Sequence, residues 1–397
     1  MDIAPALLED WLRERYFTAA VDISSSGVEN YTVNEVLALA GIGAESLGSI
    51  MLRDSHSLGG IELRTALARR YDTHPGAVIA TQGSSEAIYL VLHALLRAGD
   101  EVIVQTPAYH ALREVAAAIG CRIIPWQLCS EGGIVSNPDD LLELITPQTR
   151  MVVLNFPHNP TGATVTPAQQ AAIIEACARH GTYLAWDNAF RELVYDRQPL
   201  PDPALTYPRA VSFGTLSKAY GLPGLRVGWA FAAPEILKDC VRHRDYLSLA
   251  LSPLVETVAT HAIDHADELL KPRLAQAQHN RDVLANWLTA NAGHIQCDIP
   301  AGGVTTFPRL TTVPDVRKFT DDLHRAHGVL VVPGDCFAPP LPFWWPRNGA
   351  PGLRSWHDFL PLSSSWLGGW CHRLRRHRQT ADQGHDHRPF RRSGGSS

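Results

Sequence analysis

A lysine flanked by hydroxyl side chains is the part of this sequence that most directly indicates chemistry. Residues 212–231 read SFGTLSKAYGLPGLRVGWAF, so that Lys218 follows an apolar run and lies beside Thr215 and Ser217, with Arg226 further along. A primary amine can form an imine with a carbonyl compound, and hydroxyls together with a guanidinium can hold a phosphate. The pattern therefore indicates an imine-forming site next to a phosphate, and a solvated surface lysine is the alternative.

Two further polar motifs follow predicted strands. Residues 155–162 read NFPHNPTG, a turn in which the Asn159 amide can donate a hydrogen bond to a ring oxygen or a carboxylate. Asp187 ends another strand, where its carboxylate can pair with a protonated pyridine nitrogen. The alternatives are a plain turn for the first motif and a helix N-cap for Asp187.

A phosphate site and an aromatic face are predicted at two other strand ends. Residues 82–85 read QGSS before a helix, and the N–H groups and hydroxyls there can bind a phosphate. Tyr109 closes the sequence TPAY and can present its ring to a ligand. Each signal is weak by itself, because a simple Gly-Ser cap or a core aromatic would look the same.

The elements that must position these residues follow an α/β pattern from about residue 60. Helical spacing covers residues 61–71 and 84–97, with Ser84 and Ser85 placed as N-caps. Short runs rich in Val, Ile and Leu predict strands at 77–81, 101–105, 122–126, 151–155, 183–187, 210–214 and 227–232. This alternation predicts a mostly parallel sheet covered on both faces, with ligand-binding residues after the strand ends. A long helical stretch over 246–290 and a smaller α/β portion follow.

Length and composition restrict the class of protein. A chain of 397 residues favours two domains, and a formal net charge of −5 argues against a nucleic-acid or anionic-membrane partner. Seven cysteines without CxxC or zinc-like pairing predict neither a disulfide framework nor a metal site. The charged N-terminus is unlike a signal peptide, and no apolar run reaches the roughly 18 residues of a membrane span. We therefore expect a soluble cytoplasmic protein without a metal.

The last part of the chain differs from the rest in composition. From Ala338 onward there is no Val, Ile, Glu, Lys, Met or Tyr, while Arg, His, Pro, Ser and Gly are frequent. A break of this kind is typical of unstructured sequence. Our hypothesis is that the reading frame has slipped near Phe337. Resequencing the coding region tests it, and an intact frame that encodes the same tail would contradict it.

The order of these motifs along residues 20–337 resembles the class I and II aminotransferase superfamily, whose members are fold-type-I pyridoxal-phosphate enzymes. The resemblance implies pyridoxal 5′-phosphate as cofactor, an amino acid as substrate and a homodimer. It implies an aspartate-aminotransferase-like α/β fold: a mostly parallel seven-stranded sheet with helices on both faces, plus a smaller α/β domain. The expected division is an N-terminal arm with part of the small domain at 1–45, a large cofactor-binding domain at 46–245, a small domain at 246–337 and an aberrant tail at 338–397.

The resemblance also implies a role for each motif residue. Lys218 forms the imine with the cofactor, Asp187 contacts the pyridine nitrogen, and Asn159 reaches the ring oxygen O3′. Tyr109 stacks on the ring. The residues expected to hold the phosphate are Ser84, Ser85, Thr215, Ser217 and Arg226.

Two departures from the family pattern bear on activity. Phe190 stands where much of the family has a tyrosine that bonds O3′. Loss of that hydroxyl alters the electronics at O3′, and we expect it to favour a long-lived carbanion over simple transfer of the amino group. The arginine that usually binds the substrate carboxylate falls in the aberrant tail, where Arg347 and Arg354 are the candidates.

Segments near the N-terminus narrow the resemblance to one group within the superfamily. Residues 8–16, 22–32 and 53–59 are similar to the capreomycidine synthases of antibiotic biosynthesis, which cyclise 3-hydroxyarginine by loss of water and addition of the guanidino group. A guanidinium substrate calls for carboxylates, and Glu29 and Asp54 are the candidates. His56 could relay protons to the leaving hydroxyl, and Gly27 lies in the same substrate segment. Ordinary surface residues are the alternative for each.

Two other functions stay open at this point. An ordinary amino-acid aminotransferase would share every cofactor motif and differ in its substrate pocket and its need for a keto acid. A non-catalytic pyridoxal-phosphate-binding module, such as the effector domain of a transcription regulator, usually carries a DNA-binding domain. No helix-turn-helix pattern precedes residue 20.

Overall fold

The computed structural model describes residues 2–130, 133–134, 137–337 and 362–363. The helices in these ranges are α1 (Leu7–Arg15), α2 (Val33–Leu39), α3 (Ala44–Gly48), α4 (Ile61–Arg70), α5 (Gly83–Leu95), α6 (His110–Ile119), α7 (Pro138–Leu144), α8 (Pro167–His180), α9 (Pro234–Arg244), α10 (Pro253–Asp264), α11 (Ala266–Ala290) and α12 (Val316–His327). The strands are β1 (Val21–Asp22), β2 (Val78–Thr81), β3 (Glu101–Thr106), β4 (Arg122–Gln127), β5 (Cys129–Ser130), β6 (Gly133–Ile134), β7 (Thr149–Asn155), β8 (Tyr183–Asp187), β9 (Ala210–Thr215), β10 (Gly228–Phe231), β11 (Ile295–Gln296), β12 (Thr305–Thr306), β13 (Arg309–Leu310), β14 (Val329–Leu330) and β15 (Leu362–Ser363).

Seven of these strands form the central sheet, in the order β2-β10-β9-β8-β7-β3-β4. Strand β10 runs antiparallel to both of its neighbours, and every other neighbouring pair is parallel. Parallel neighbours need crossover connections, which here are made by helix-containing segments such as α6 and α8. The predicted fold class, a mostly parallel seven-stranded α/β sheet, is confirmed.

Helices cover both faces of this sheet. In β3, Val102 and Val104 pack in a buried cluster with residues of α5, α6 and α9. Ile103, between them, packs in a different cluster with residues of α1, α7 and α8. Successive strand residues point to opposite faces. Because both faces are covered by helices, the middle residues of such strands are mostly apolar, which explains the short Val- and Ile-rich runs in the sequence.

The N-terminal segment packs against the last part of the described chain. Val21 and Asp22 of β1 pair in parallel with Val329 and Leu330 of β14. The indole N–H of Trp11, in α1, donates a 2.9 Å hydrogen bond to a backbone carbonyl just after β14. As a result, α1 lies at the edge of the sheet where the motif residues lie. The division of the chain into domains stays a prediction.

Two predicted elements begin elsewhere than expected. Ser84 and Ser85 are not N-caps, because α5 already begins at Gly83 and its cap residue, Gln82, makes no side-chain capping bond. Gly83 has a φ of +76°, a turn that glycine readily adopts. The helix therefore begins at Gly83, before either serine could cap it. The helical stretch over 246–290 is two helices, and residues 246–252 precede them. Pro253 explains this start, since proline fits the first turn of a helix and disfavours helix before it.

The tail from Ala338 lies outside the described residues, apart from the two-residue strand β15 that pairs antiparallel with β12. The hypothesis of a slipped reading frame therefore stays a prediction. Among the described helices, none is long and apolar enough to cross a lipid bilayer.

Candidate active site

The predicted site residues lie at one edge of the central sheet. Asn155, Asp187 and Thr215 end the neighbouring strands β7, β8 and β9, and Asn155 is the register partner of Asp187. Lys218 lies in the loop that follows Thr215. The carboxyl ends of parallel strands meet at the same edge, which is where open α/β sheets bind ligands.

The amine of Lys218 is held from the N-terminal segment. Its Nζ donates a 2.7 Å hydrogen bond to the hydroxyl of Ser26. Burial lowers the pKa of Lys218, while the negative charges of Glu9 and Asp187 act in the opposite direction. The net shift is downward, which increases the fraction of neutral amine that can act as a nucleophile or base at a given pH.

Phe190 lies close to the amine of Lys218. The centre of its ring is 5.9 Å from Lys218 Nζ, and the side chain is buried. The hydroxyl of a tyrosine at this position would therefore be close to the amine. The effect of Phe190 on a cofactor stays a prediction.

Asp187 is a buried carboxylate with one oxygen in use. Its Oδ1 accepts a 2.9 Å hydrogen bond from the backbone N–H of Ala189. Burial raises the pKa of Asp187 to about 6, and the nearby charge of Lys218 acts to lower it. The other oxygen has no hydrogen-bond partner among the described residues. A buried carboxylate of this kind gains most from pairing with a cation, such as a protonated ring nitrogen.

The turn that carries Asn159 is fixed by side-chain hydrogen bonds. The N–H of Asn159 donates a 2.7 Å bond to Asn155 Oδ1, and Asn155 Nδ2 donates a 3.0 Å bond to the backbone carbonyl of Asp187. The Oδ1 of Asn159 is buried and has no partner among the described residues. Such an unpaired polar atom is costly in a core, so it marks a position where a ligand can supply the missing contact.

His158 holds the same turn from behind. Its Nδ1 lies 2.7 Å from the hydroxyl of Thr161, and its Nε2 lies 2.9 Å from the backbone carbonyl of Pro107. Burial lowers the pKa of His158 to about 3. The neutral imidazole thus ties the Asn159 turn to the loop that carries Tyr109.

An anion cradle forms where Arg226 meets the start of α5. Arg226 lies so close to Gly83 that a Cβ on Gly83 would be 2.7 Å from Arg226 Nη2. Arg226 Nη1 donates to Ser217 Oγ at 3.4 Å, and the Thr215 hydroxyl donates to the same oxygen at 3.0 Å. Guanidinium, hydroxyls and a helix N-terminus all favour an anion, so their combination fits a phosphate.

The serines of α5 and Tyr109 lie beside this cradle. Ser85 Oγ and the Tyr109 hydroxyl are 3.5 Å apart. The backbone of Ser84 packs on β10, where a Cβ on Gly228 would be 2.3 Å from Ser84 N. Only glycine permits this close approach, which holds the first turn of α5 at the edge of the sheet.

A cavity of about 240 Å³ opens onto Lys218. Its lining contains Tyr109, Asn159 and Ser217 from the loops at the sheet edge. Other lining residues come from the N-terminal segment and include Glu9, Ser24, Ser25, Ser26, Gly27 and Asn30. An amine, a buried carboxylate with a free oxygen, an unpaired buried amide and an anion cradle fit pyridoxal phosphate, the cofactor implied by the sequence.

The predicted substrate residues are dispersed. Gly27 lines the cavity, whereas Glu29, Asp54 and His56 are not among its described lining residues. Glu29 is engaged elsewhere, with Arg273 Nη1 at 3.1 Å and a further hydrogen bond from Gln276. Asp54 and His56 are exposed in the single chain, and Arg354 lies outside the described residues. Their roles in substrate binding stay predictions.

The sequence analysis assigned no role to three residues of the site, namely Glu9, Ser26 and His158. Ser26 lies in the segment predicted to approach the substrate, and His158 lies inside the NFPHNPTG motif, so each had a signal. Glu9 lies within residues 8–16, one of the segments that narrow the resemblance, but it is one charged residue among several on an amphipathic helix. Only the packing of α1 shows that it reaches the cavity.

Comparisons with known proteins agree with this geometry. Residues 52–344 match the family model described as aminotransferase class I and II. The chain is 52% identical over 335 residues to capreomycidine synthase from Streptomyces vinaceus, covering 84% of this chain and 86% of that protein. It is 31% identical over 290 residues to the arginine–pyruvate transaminase AruH of Pseudomonas aeruginosa, covering 70% and 72% of the two chains.

Solved structures also resemble this chain. The crystal structure of the PLP-dependent cyclase OrfR superposes with a TM-score of 0.83 at 38% identity, covering 95% of this chain and 98% of that one. A Thermus thermophilus aspartate aminotransferase variant superposes with a TM-score of 0.78 at 24% identity, covering 95% and 97% of the two chains. The second likeness concerns the fold alone.

Proposed function

The chain belongs to the class I and II aminotransferase family, and from this we propose that it is a pyridoxal-phosphate-dependent cyclase that converts 3-hydroxyarginine to capreomycidine in antibiotic biosynthesis. Pyridoxal 5′-phosphate is the cofactor of the family. The observation that carries the proposal is the 52% identity to capreomycidine synthase over most of both chains. The likeness to a PLP-dependent cyclase structure supports it further.

The residues at the sheet edge would hold the cofactor by its two charged ends. Arg226, Ser217 and the first turn of α5 would bind the phosphate. At the opposite end, Asp187 would keep the ring nitrogen protonated, because a buried carboxylate stabilises an adjacent cation. When bound, pyridoxal phosphate withdraws electrons from the α-carbon of an amino acid and so makes its α-proton acidic.

Lys218 would move protons at the α-carbon. Burial lowers its pKa, so a larger fraction of the amine is neutral and can accept the α-proton. The bond to Ser26 Oγ keeps the amine on the cavity side of the loop. Loss of the α-proton and of the hydroxyl at Cβ amounts to elimination of water. Addition of a guanidino nitrogen at Cβ, with return of a proton to Cα, then closes a six-membered ring.

Tethering and positioning of the guanidino group favour the ring closure. The guanidino nitrogen and Cβ belong to one molecule, so their encounter is intramolecular and is favoured by high effective concentration. The walls of the cavity, from α1 and from residues 24–30, restrict the conformations that the side chain can adopt. Positioning of the guanidino group is therefore the main task of the substrate-facing residues.

Incubation with 3-hydroxyarginine, with and without a keto acid, tests the proposal. Formation of the cyclic product without a keto acid is the expected result, because cyclisation consumes no amino acceptor. A strict requirement for the keto acid, with a new amino acid derived from it, would contradict the proposal.

A strict requirement for the keto acid would favour an aminotransferase, which is the second candidate function. The family model and the 31% identity to an arginine–pyruvate transaminase favour it. Both functions use the same cofactor site, so only the fate of the substrate amino group separates them. Arginine and pyruvate are the pair to assay first.

Replacement of Lys218 tests the cofactor site independently of the substrate. We expect Lys218→Ala to lose the visible absorbance band of the covalently bound cofactor while circular dichroism stays unchanged. Lys238→Ala is the matched control, because Lys238 is an exposed lysine of α9. Retention of the band in Lys218→Ala would exclude this lysine as the anchor.

A homodimer is part of the proposal. Met51, Leu52 and Tyr246 are 74%, 78% and 95% exposed, which is unusual for large apolar side chains. Their segments are adjacent, because Arg244 Nη1 donates a 2.6 Å hydrogen bond to the carbonyl of Ser57. Burial of this surface in a dimer would also place Asp54 and His56 at the interface. Sedimentation velocity tests it, and a monomer at micromolar concentration would contradict it.

The division into a large domain at 46–245 and a small domain at 1–45 with 246–337 also stays a proposal, as does the cytoplasmic location. The central sheet, from β2 to β10, falls within the proposed large domain. The pairing of β1 with β14 supports joining the N-terminal arm to the small domain. Limited proteolysis tests the division, with cleavage expected near residue 246 before the sheet is cut.

A further inference from the structure

The N-terminal helix α1 brings a carboxylate to the cavity of Lys218. Leu8 and Trp11 of α1 are buried in the core, and the Trp11 indole donates to Val331 O at 2.9 Å. With these residues anchored, Glu9 lies on the face of α1 that lines the cavity. Its position is thus set by a packed helix and not by a mobile surface loop.

Glu9 is unlike the acidic residues next to it in sequence. Asp10 pairs with Arg13 at 2.6 Å, and Glu14 pairs with Arg15 at 2.7 Å. The Glu9 carboxylate makes no ion pair or side-chain hydrogen bond with any other residue that the structure describes. It is also the one carboxylate among the described residues that line the cavity.

The charge of Glu9 acts inside the site. It favours the protonated form of Lys218 more strongly than Asp187 does, and it also raises the pKa of Tyr109. Glu9, Lys218 and Tyr109 all line the cavity that a substrate would enter. A cationic group in that cavity would find Glu9 available, whereas Glu29 is already held by Arg273.

We propose that Glu9 binds the guanidinium group of the substrate and is the residue that selects for it. This inference rests on the proposed function, in which the substrate is an arginine derivative. A carboxylate can accept two parallel N–H groups from a guanidinium, which fixes its orientation as well as its position. Binding through Nε–H and one Nη–H leaves the other Nη, whose addition at Cβ closes the six-membered ring, free of the carboxylate.

Equilibrium binding of arginine and citrulline to the holoenzyme tests the inference. The two amino acids have the same length, but citrulline has a neutral urea in place of the guanidinium. We expect Glu9→Gln to weaken arginine binding by about tenfold or more, because the charge-assisted hydrogen bonds to the guanidinium are lost. The change in cofactor absorbance measures the binding. Citrulline binding should stay within about twofold of the wild type.

Two further variants make the test specific. Asp10→Asn removes a neighbouring charge that does not line the cavity, and it should leave both dissociation constants unchanged. Glu9→Asp keeps the charge and should retain part of the preference for arginine. With 3-hydroxyarginine, Glu9→Gln should raise KM more than it lowers kcat, whereas general damage to the site would lower kcat for every substrate.

The outcomes separate this inference from the proposed function. Equal weakening of arginine and citrulline, or no weakening of either, would overturn the role of Glu9. A wild type that cyclises 3-hydroxyarginine but binds arginine and citrulline equally would overturn only this inference. A wild type that neither binds arginine nor cyclises its hydroxy derivative would overturn the proposed function and, with it, the inference.

Discussion

The ε-amine of Lys218 donates a 2.7 Å hydrogen bond to the hydroxyl of Ser26, which lies 192 residues earlier in the chain. Asp22 shapes the loop that presents Ser26, since its carboxylate accepts hydrogen bonds from Ser24 and Ser25. The N–H of Val28 then donates to the Lys218 carbonyl at 3.3 Å. The N-terminal segment is therefore hydrogen-bonded directly to the loop that carries Lys218.

Ser26→Ala removes the acceptor for the Lys218 amine. We expect kcat/KM to fall by about threefold to tenfold, since a hydrogen bond to a charged amine contributes on the order of 1 kcal/mol or slightly more. Loss of an acceptor disfavours the charged amine, so the acid limb of the pH–rate profile should move to lower pH. Ser46→Ala, an exposed hydroxyl on α3, is the control. An unchanged rate and pH profile would contradict a role for this bond.

Gly83→Ala disturbs the anion cradle without removing a polar group. Its Cβ would lie 2.7 Å from Arg226 Nη2, and the φ of +76° disfavours a side chain. We expect cofactor affinity, measured by fluorescence titration of the apoenzyme, to fall by about tenfold or more. Gly224→Ala is the matched control, because a Cβ at Gly224 meets no atom within 4 Å. Equal affinity of the two variants would exclude the proposed phosphate site.

Phe190→Tyr restores the hydroxyl that much of the family carries. The ring of Phe190 is centred 5.9 Å from Nζ of Lys218, the amine that would anchor the cofactor in the proposed site. A new donor to that oxygen should lower the pKa of the Lys218–cofactor imine by about one unit. It should also increase keto-acid-dependent transfer. Phe17→Tyr, at an 88% exposed position, is the control. An unchanged imine pKa would contradict an effect of residue 190 on the cofactor.

His158 makes the stability of the fold depend on pH. Its folded-state pKa is about 3, below the ordinary value of about 6.5, so the unfolded chain binds the proton first. Stability from this group is present above pH 6.5 and is lost as the pH falls toward 3. The difference in unfolding free energy between wild type and His158→Gln should therefore shrink by about 2 kcal/mol between pH 7 and pH 5. Asp187 titrates in both proteins, so its contribution cancels.

A constant difference over that pH range would contradict a buried neutral His158. Urea titrations at several pH values provide the measurement. His279→Gln is a suitable control, because His279 is an exposed histidine of α11.

Local features of the sequence were sufficient for the sheet and for the cofactor motifs. Strand β8 lies where the sequence predicts it, and β3, β4, β7 and β9 begin or end within two residues of their predicted limits. Buried parallel strands have a strong local signal because nearly every residue in them is apolar. The order of motifs along the chain then predicted which loops meet at one edge, since parallel strands present the same end.

Contacts between distant segments were not predictable in the same way. The start of α5 depends on the backbone turn at Gly83, and the break before α10 depends on Pro253. The engagement of Glu29 by Arg273 joins residues 244 positions apart, so no local pattern indicates it.

The sequence by itself determined the fold class and singled out Lys218 as the proposed anchor, because both depend on patterns within one strand or one loop. Only the tertiary structure decided which acidic residue faces that lysine. Glu9 and Glu29 are each one carboxylate among many in the sequence. Packing of α1 against β14 turns Glu9 toward the cavity, while Arg273 holds Glu29. A charged side chain acts where the fold places it, and that position is set by contacts across the whole chain.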